Sequence, residues 1–383
     1  MEIYLDNAAT TKPCPAAVAA VMEALTENWG NPSAVHQLGL RAEKAVKQAR
    51  QQVAAVLGCS PDQLFFTSGG TEGDNFAVFS VAQRYHKRGR HIITTAVEHH
   101  AVLRPIQALE AQGFEVTYLK PEADGTISPA ALLGALRKDT ILVSIMMVNN
   151  ETGAVNDIAR LAKLTHQKST AVFHTDAVQA FCQVPIDVDV CHIDMLSASA
   201  HKLNGPKGIG FLYIRKGVKI RSFIHGGAQE RKRRAGTENV PGCVGLGVAA
   251  REAYKDFDAR IEKLYTLREH LIAGLKPLGG VTINGSEDRT NAPQIVSASF
   301  EGVRSEVLLH ALEDKGVYVS SGSACSSNHP GISGTLKGIG VKKELLDSTI
   351  RFSLGDLNTE EEVDYAIGVL GELLPVLRRY QMK

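Results

Sequence analysis

From about residue 40 the chain alternates two kinds of hydrophobic pattern. Stretches such as AEKAVKQARQQVAAVLG place apolar residues at helical spacing and end on Gly58, a residue suited to a left-handed C-cap. Between such stretches lie short, nearly continuous apolar runs: QLFFTSGG, HIITTAVEHH, FEVTYLK, TILVSIMMVNNETG, TAVFHTDAVQ, HIDMLSASAHK and GIGFLYIRK. Strands apolar on both faces and separated by helices predict an α/β fold with a mostly parallel sheet covered by helices. A long amphipathic stretch follows, roughly Val244 to Leu278, and then PQIVSASFEG, GVYVSSGSAC and TIRFSLG with helices between them. This second pattern predicts a smaller α+β domain. The expected division is 13–255 for the large domain, with 1–12 and 256–383 forming the small one.

Composition narrows the classes. The chain has 383 residues, 44% hydrophobic and 22% charged, which is ordinary for a globular protein able to bury a sizeable core. A formal net charge of +1 gives no global field toward nucleic acid or membrane. No run approaches the ~18 apolar residues of a membrane span. The opening MEIYLDNAATTKP lacks the basic start and apolar run of a signal peptide. Six cysteines without CxxC pairs argue against a zinc ribbon or a disulfide framework, so a cytoplasmic setting is expected and no metal is assigned. The basic run ERKRR, residues 230–234, reads as a solvated face that rims a site or meets an acidic acceptor, with direct nucleic-acid binding the remote alternative.

Ligands of open α/β sheets sit beyond the carboxyl ends of the strands, so the residues just after each apolar run carry the candidate chemistry. After QLFFT comes SGGTEGDN, a bare backbone turn that opens a helix near Thr71, where free N–H groups suit a phosphate. Taken alone, this reads first as an ordinary N-cap. TAVFHTDAVQ ends in Asp176, with Gln179 three residues on. A carboxylate there holds a cationic ring nitrogen or simply caps a helix. SASAHKLNGPKGIG places Lys202 after the next strand, where enclosure would lower its pKa and allow a Schiff base. A phosphate cradle, an aspartate and a lysine at successive strand ends are together what pyridoxal phosphate requires: an anchor, a partner for the pyridine nitrogen and an amine for the aldehyde.

Ten motifs in order, YLDNAATT, GNPSAVH, FTSGGTEGDN, EHHAV, ILVSIMMVNNETG, HTDAVQ, SASAHKLNGPKGIG, RRAGTENV, SSGSACSS and IRFSLG, extend the argument nearly end to end. On them the chain resembles the pyridoxal-phosphate-dependent cysteine desulfurases of the NifS/IscS type, within the class V aminotransferases and the fold-type I transferases. The resemblance implies that Lys202 forms the Schiff base, that Asp176 pairs with the pyridinium nitrogen, and that Gln179 and Asn150 contact the phenolic oxygen. It implies His99 stacked on the ring as a proton relay, the choice over His100 resting on the motif. Glu98 and Asn149 are read as neighbours that shape the site. Gly70, Thr71, Ser199 and His201 would bind the phosphate. Thr237 would reach the phosphate of a neighbouring subunit, which implies a homodimer. Asn31 and Arg351 would hold the substrate carboxylate.

Cys325, set among serines and glycines on what reads as an exposed mobile loop, would take sulfur from L-cysteine as a persulfide, leaving L-alanine. The expected partner is a sulfur-acceptor protein, an iron–sulfur scaffold or a thiolation enzyme. A selenocysteine lyase or another transferase of the same fold is the alternative, and a non-enzymatic sulfur-relay scaffold is a further one. SGG replaces the commoner Ser-Gly-Ala, and SSNHPGISGTLKGIG after the cysteine departs from the usual loop sequence, which bears on the loop's reach.

Overall fold

The computed structural model describes residues 2–321 and 333–381. Strand β1 (Ile3–Tyr4) precedes two helices, Pro15–Thr26 and Gln37–Leu57, the second closed by Gly58 at φ 67°. Seven strands of one sheet follow: β2 (Leu64–Thr67), β3 (His91–Thr95), β4 (Glu115–Leu119), β5 (Thr140–Ser144), β6 (Val172–Asp176), β7 (Met195–Ser199) and β8 (Gly210–Ile214). Their spatial order is β2-β8-β7-β6-β5-β3-β4. Every residue of β2, β3 and β5–β8 is buried, which is why these runs lack polar alternation; β4, at the edge, is largely half-buried or exposed.

The pairs from β7 to β4 are parallel, as expected, but β8 runs antiparallel to both β2 and β7. The connection from Ser199 to Gly210 holds only one turn of helix, Ala200–Lys202. It is too short for the crossover that a parallel return needs. Since β2 and β7 flank the same antiparallel strand, they point the same way. The carboxyl ends of β2, β3, β5, β6 and β7 therefore share one edge.

A second sheet contains β9 (Val281–Asn284), β10 (Ile295–Phe300), β12 (Ser320–Ser321) and β13 (Thr349–Ser353) in the order β12-β13-β10-β9, all antiparallel. Strand β11 (Val317–Tyr318) instead pairs in parallel with β1. The amphipathic stretch between the sheets is two helices, Val240–Lys255 and Phe257–Leu275, not one. The break is at Asp256, whose backbone leaves helical geometry at φ −130°, ψ 46°; aspartate favours helix starts over helix interiors.

Apolar residues divide accordingly. One set of cores packs the helices against the seven-stranded sheet. Another joins the helices Phe257–Leu275 and Glu360–Gln381 to the second sheet, and Ile3 and Leu5 are fully buried in it. The N-terminal segment is laced there by main-chain bonds: Leu5 N to Tyr318 O at 2.8 Å and Ser353 N to Leu5 O at 2.7 Å. Among the described residues no helix is long and apolar enough to cross a membrane.

Candidate active site

The shared strand edge and the second sheet enclose a cavity of about 310 Å3. Each strand end contributes one function to it. Beyond β2 the chain turns through Gly69 into the helix Gly70–Tyr85, whose N-terminus faces the cavity at Gly70 and Thr71. A side chain at Gly70 would meet Val178 Cγ2 at 2.5 Å, so glycine alone lets the turn pass. Ser199 at the end of β7 and His201 just after it line the same region. His201 Nδ1 is 3.2 Å from Thr10 Oγ1, and burial pushes its imidazole down to about 4, so the ring is neutral near pH 7.

Asp176 closes β6. Its Oδ1 accepts from Val178 N at 2.8 Å, while burial pushes the carboxyl above the ordinary aspartate value and His99 and Lys202 pull it back. Gln179 is one turn on, its Nε2 donating to Ala8 O at 2.9 Å. Lys202 follows β7, and its Nζ donates to Ala9 O at 2.7 Å and to Ala8 O at 2.5 Å. The AAT of the opening motif thus supplies two carbonyls that hold the lysine amine in the cavity, a role that nothing in the hydrophobic pattern announces.

His99 caps the helix His100–Glu110, and its Nδ1 accepts from Ala101 N at 3.1 Å. A lone pair is therefore required on Nδ1, and the neutral ring carries its proton on Nε2. Burial holds this imidazole below the usual histidine value. Arg351, on β13 of the second sheet, reaches the cavity from the opposite side. Its Nη2 lies 2.8 Å from Asp6 Oδ1, its Nη1 donates to Asn150 O at 2.9 Å, and its buried Nε has no protein partner.

The cavity thus brings together Gly70, Thr71, His99, Asn150, Asp176, Gln179, Ser199, His201, Lys202 and Arg351. It does not include Asn31, which is exposed and accepts from Ser33 N at 2.9 Å, nor Thr237, which lines a separate pocket with Ser68 and Arg234. Cys325 lies outside the described residues. Sequence reasoning missed Asp6 and Asp74, which also line the cavity. Asp6 sits in a motif that was quoted, but only the fold shows that it faces Arg351.

The basic run is also corrected. Glu230 is buried and bonds Arg50 through both oxygens, at 2.6 and 2.9 Å. Arg231 stacks 4.1 Å over Phe65, and Arg234 holds Glu72 at 2.7 and 3.1 Å. Residues 230–232 take φ values of 41°, 54° and 61°, left-handed conformations that only such anchoring sustains in non-glycine residues. The segment is a strap beside the phosphate-side helix, pinned at Glu230 and Arg234 and with Arg231 and Lys232 still exposed.

An amine, a buried carboxylate, an imidazole and a bare-backbone helix start around one cavity are the donor set for pyridoxal phosphate, and the volume accommodates it. The family profile described as Aminotransferase class-V matches residues 3–366. The chain belongs to the class-V aminotransferases. Within them it stands with the cysteine desulfurases: it is 46% identical over 376 residues to Cysteine desulfurase IscS of Methanosarcina thermophila, covering 98% of this chain and 93% of the relative. Among solved structures, a NifS-like protein superposes with a TM-score of 0.93 at 38% identity, covering 98% of this chain and all of the other. The structure titled SspA in complex with cysteine superposes at 0.83 with 33% identity, covering 94% and 100%. A class-V desulfurase is a pyridoxal-phosphate enzyme, and the fold agrees with the fold-type I architecture expected from the motifs.

Proposed function

We propose that this chain takes sulfur from L-cysteine, leaving L-alanine, with Lys202, His99 and Cys325 as its catalytic residues. The observation that carries the reading is that Lys202, Asp176 and Arg351 open into one cavity, although they come from two sheets. Bound pyridoxal phosphate supplies an aldehyde for amines and an electron sink that acidifies the neighbouring carbon. Lys202 would hold it covalently, with Gly70, Thr71, Ser199 and His201 at its phosphate, Asp176 at its ring nitrogen, and Gln179 and Asn150 at its phenolic oxygen.

The remaining work falls to the chain's own groups. Arg351, with its unpartnered Nε, binds the substrate carboxylate and fixes the α-carbon near Lys202, whose amine takes the α-proton. His99, with its proton on Nε2, relays protons on the ring side. Cys325 attacks the substrate sulfur as a thiolate: a sulfur–sulfur bond forms, the carbon–sulfur bond breaks, and the carbon keeps the pair and is protonated to the methyl of alanine. Cys325 is left as a persulfide for an acceptor protein, with iron–sulfur cluster assembly as the destination and transfer-RNA thiolation as the other outlet. The IscS name carried by the curated relative supports the first.

Thr237, outside its own chain's cavity, fits a homodimer in which it reaches the phosphate of the neighbouring site; Asn31, read with Arg351 as a holder of the substrate carboxylate, also lies outside its own chain's cavity. The division into 13–255 and 1–12 with 256–383 belongs to the same reading, supported by Ile3 and Leu5 packing in the second core.

The test is release of sulfide and alanine from L-cysteine by the purified chain under reducing conditions. Cys325→Ala is expected to keep the cofactor's colour and lose sulfide release. Unimpaired release by that variant would remove the persulfide route.

A further inference from the structure

We propose that Glu98 is a positioning residue: its buried carboxyl ties the turn that carries His99 to the turn after β5, and so sets where His99 stands over the cavity. The proposal rests on the reading of His99 as the group that faces the cofactor.

β3 and β5 are parallel neighbours, so the turns after them, 96–99 and 145–150, run side by side at the cavity edge. The first delivers His99 and the second delivers Met146, Val148 and Asn150, all of which line the cavity. Two ties between the turns run through side chains. Glu98 Oε1 accepts from Met146 N at 2.9 Å and, on its own side, from Thr95 Oγ1 at 2.9 Å. Asn149 Nδ2 donates to Val97 O at 3.2 Å. Glu98 Oε2 is buried without a partner. An ionised carboxylate would not leave an oxygen so exposed to desolvation. Moreover, the acidic groups that face Glu98, Asp176 on β6 and Asp74 on the helix Gly70–Tyr85, would repel a charge there. Burial accordingly lifts the carboxyl to about 8. At neutral pH Glu98 is an uncharged acid, so glutamine, which keeps the acceptor oxygen, is its true mimic.

Two variants of the full chain test this. With pyridoxal phosphate bound, Glu98→Gln is expected to keep kcat within about threefold, whereas Glu98→Ala loses about 10–100-fold in kcat with a smaller change in KM, as a displaced catalytic group does. The parent should show an alkaline inflection near 8 in the pH profile of the bound cofactor's absorbance, where Glu98 ionises beside Asp176, and Glu98→Gln should lack it. Without cofactor, the His99 imidazole followed by NMR should show the same secondary inflection in the parent and lose it in Glu98→Gln. Parental kcat in Glu98→Ala, equal damage in both variants, or an unchanged inflection in Glu98→Gln overturns the proposal. If the parent itself neither binds the cofactor nor releases sulfide, the functional reading falls, and the cofactor-free His99 titration still decides for or against Glu98.

Discussion

The guanidinium of Arg351 and the carboxylate of Asp6 meet at 2.8 Å although 345 positions separate them in the chain. The pair joins β13 to the N-terminal segment at the cavity wall. Asp6 orients the fork, and on the proposed reading the unpartnered Nε remains for an incoming carboxylate. Replacing Arg351 with Lys keeps the charge but loses the planar fork. KM for L-cysteine should rise by about 10–100-fold, the equivalent of one charged hydrogen bond, with the cofactor spectrum unchanged. Steady-state kinetics on the cofactor-loaded variant measure it.

On the proposed reading, Lys202→Ala removes both the amine for the aldehyde and the base for the α-proton. Borohydride treatment should no longer fix pyridoxal phosphate to the chain, and turnover should fall by at least about 10³-fold. Mass spectrometry after reduction reads the first and sulfide assay the second. An adduct of the same mass in the variant would place the Schiff base on another lysine.

His174 predicts an acid-side loss of stability. It is fully buried between Ser144 Oγ at 2.8 Å and Ser197 Oγ at 3.0 Å, and burial pushes its imidazole from 6.5 to about 3. Below 6.5 the unfolded chain takes up a proton that the folded chain refuses, so stability falls as the pH drops from 6.5 toward about 3 and is fully present above 6.5. The slope from this one residue reaches about 1.4 kcal/mol per pH unit. Urea unfolding between pH 7 and 5 should show it, and His174→Gln, which cannot take the proton, should be flatter by that amount.

Glu230→Ala should strand the Arg50 guanidinium, on a side chain only 14% exposed, and release the left-handed strap. Removing one partner of a buried ion pair costs about 3–5 kcal/mol. Chemical denaturation should report a loss in that range, whereas a loss below about 1 kcal/mol would mean that the strap is held by Arg231 and Arg234 instead.

Much of this architecture was legible along the chain. Continuous apolar runs announced the central sheet because β2, β3 and β5–β8 are buried on both faces, and the strand-end rule led to Asp176 and Lys202. The reversal of β8 was not legible from the pattern, since a buried strand reads alike in either direction and only the short connection after Ser199 decides. Gly70, Thr71, His99, Asn150, Asp176, Gln179, Ser199, His201, Lys202 and Arg351, which line the cavity, were named from the motifs, but Asp74 was not. Asp6, Ala8 and Ala9 were not assigned roles, because their work is done through contacts with residues some 170 to 350 positions away. The strap at 230–234 misled for a related reason: charge runs look solvated until their partners, Arg50 and Glu72, are brought to them by folding.

The lacing of the first residues carries a consequence for synthesis. Ile3 pairs with Val317, and Leu5 and Asp6 await Ser353 and Arg351, with 345 positions between the members of the Asp6–Arg351 pair. The central sheet can form while translation continues, but Ala8 and Ala9 cannot settle over Lys202 until those distant partners have been made. Nascent chains therefore stay incompetent for vitamin B6 capture until that stretch has emerged, and a premature stop anywhere before residue 351 leaves an unfinished mouth.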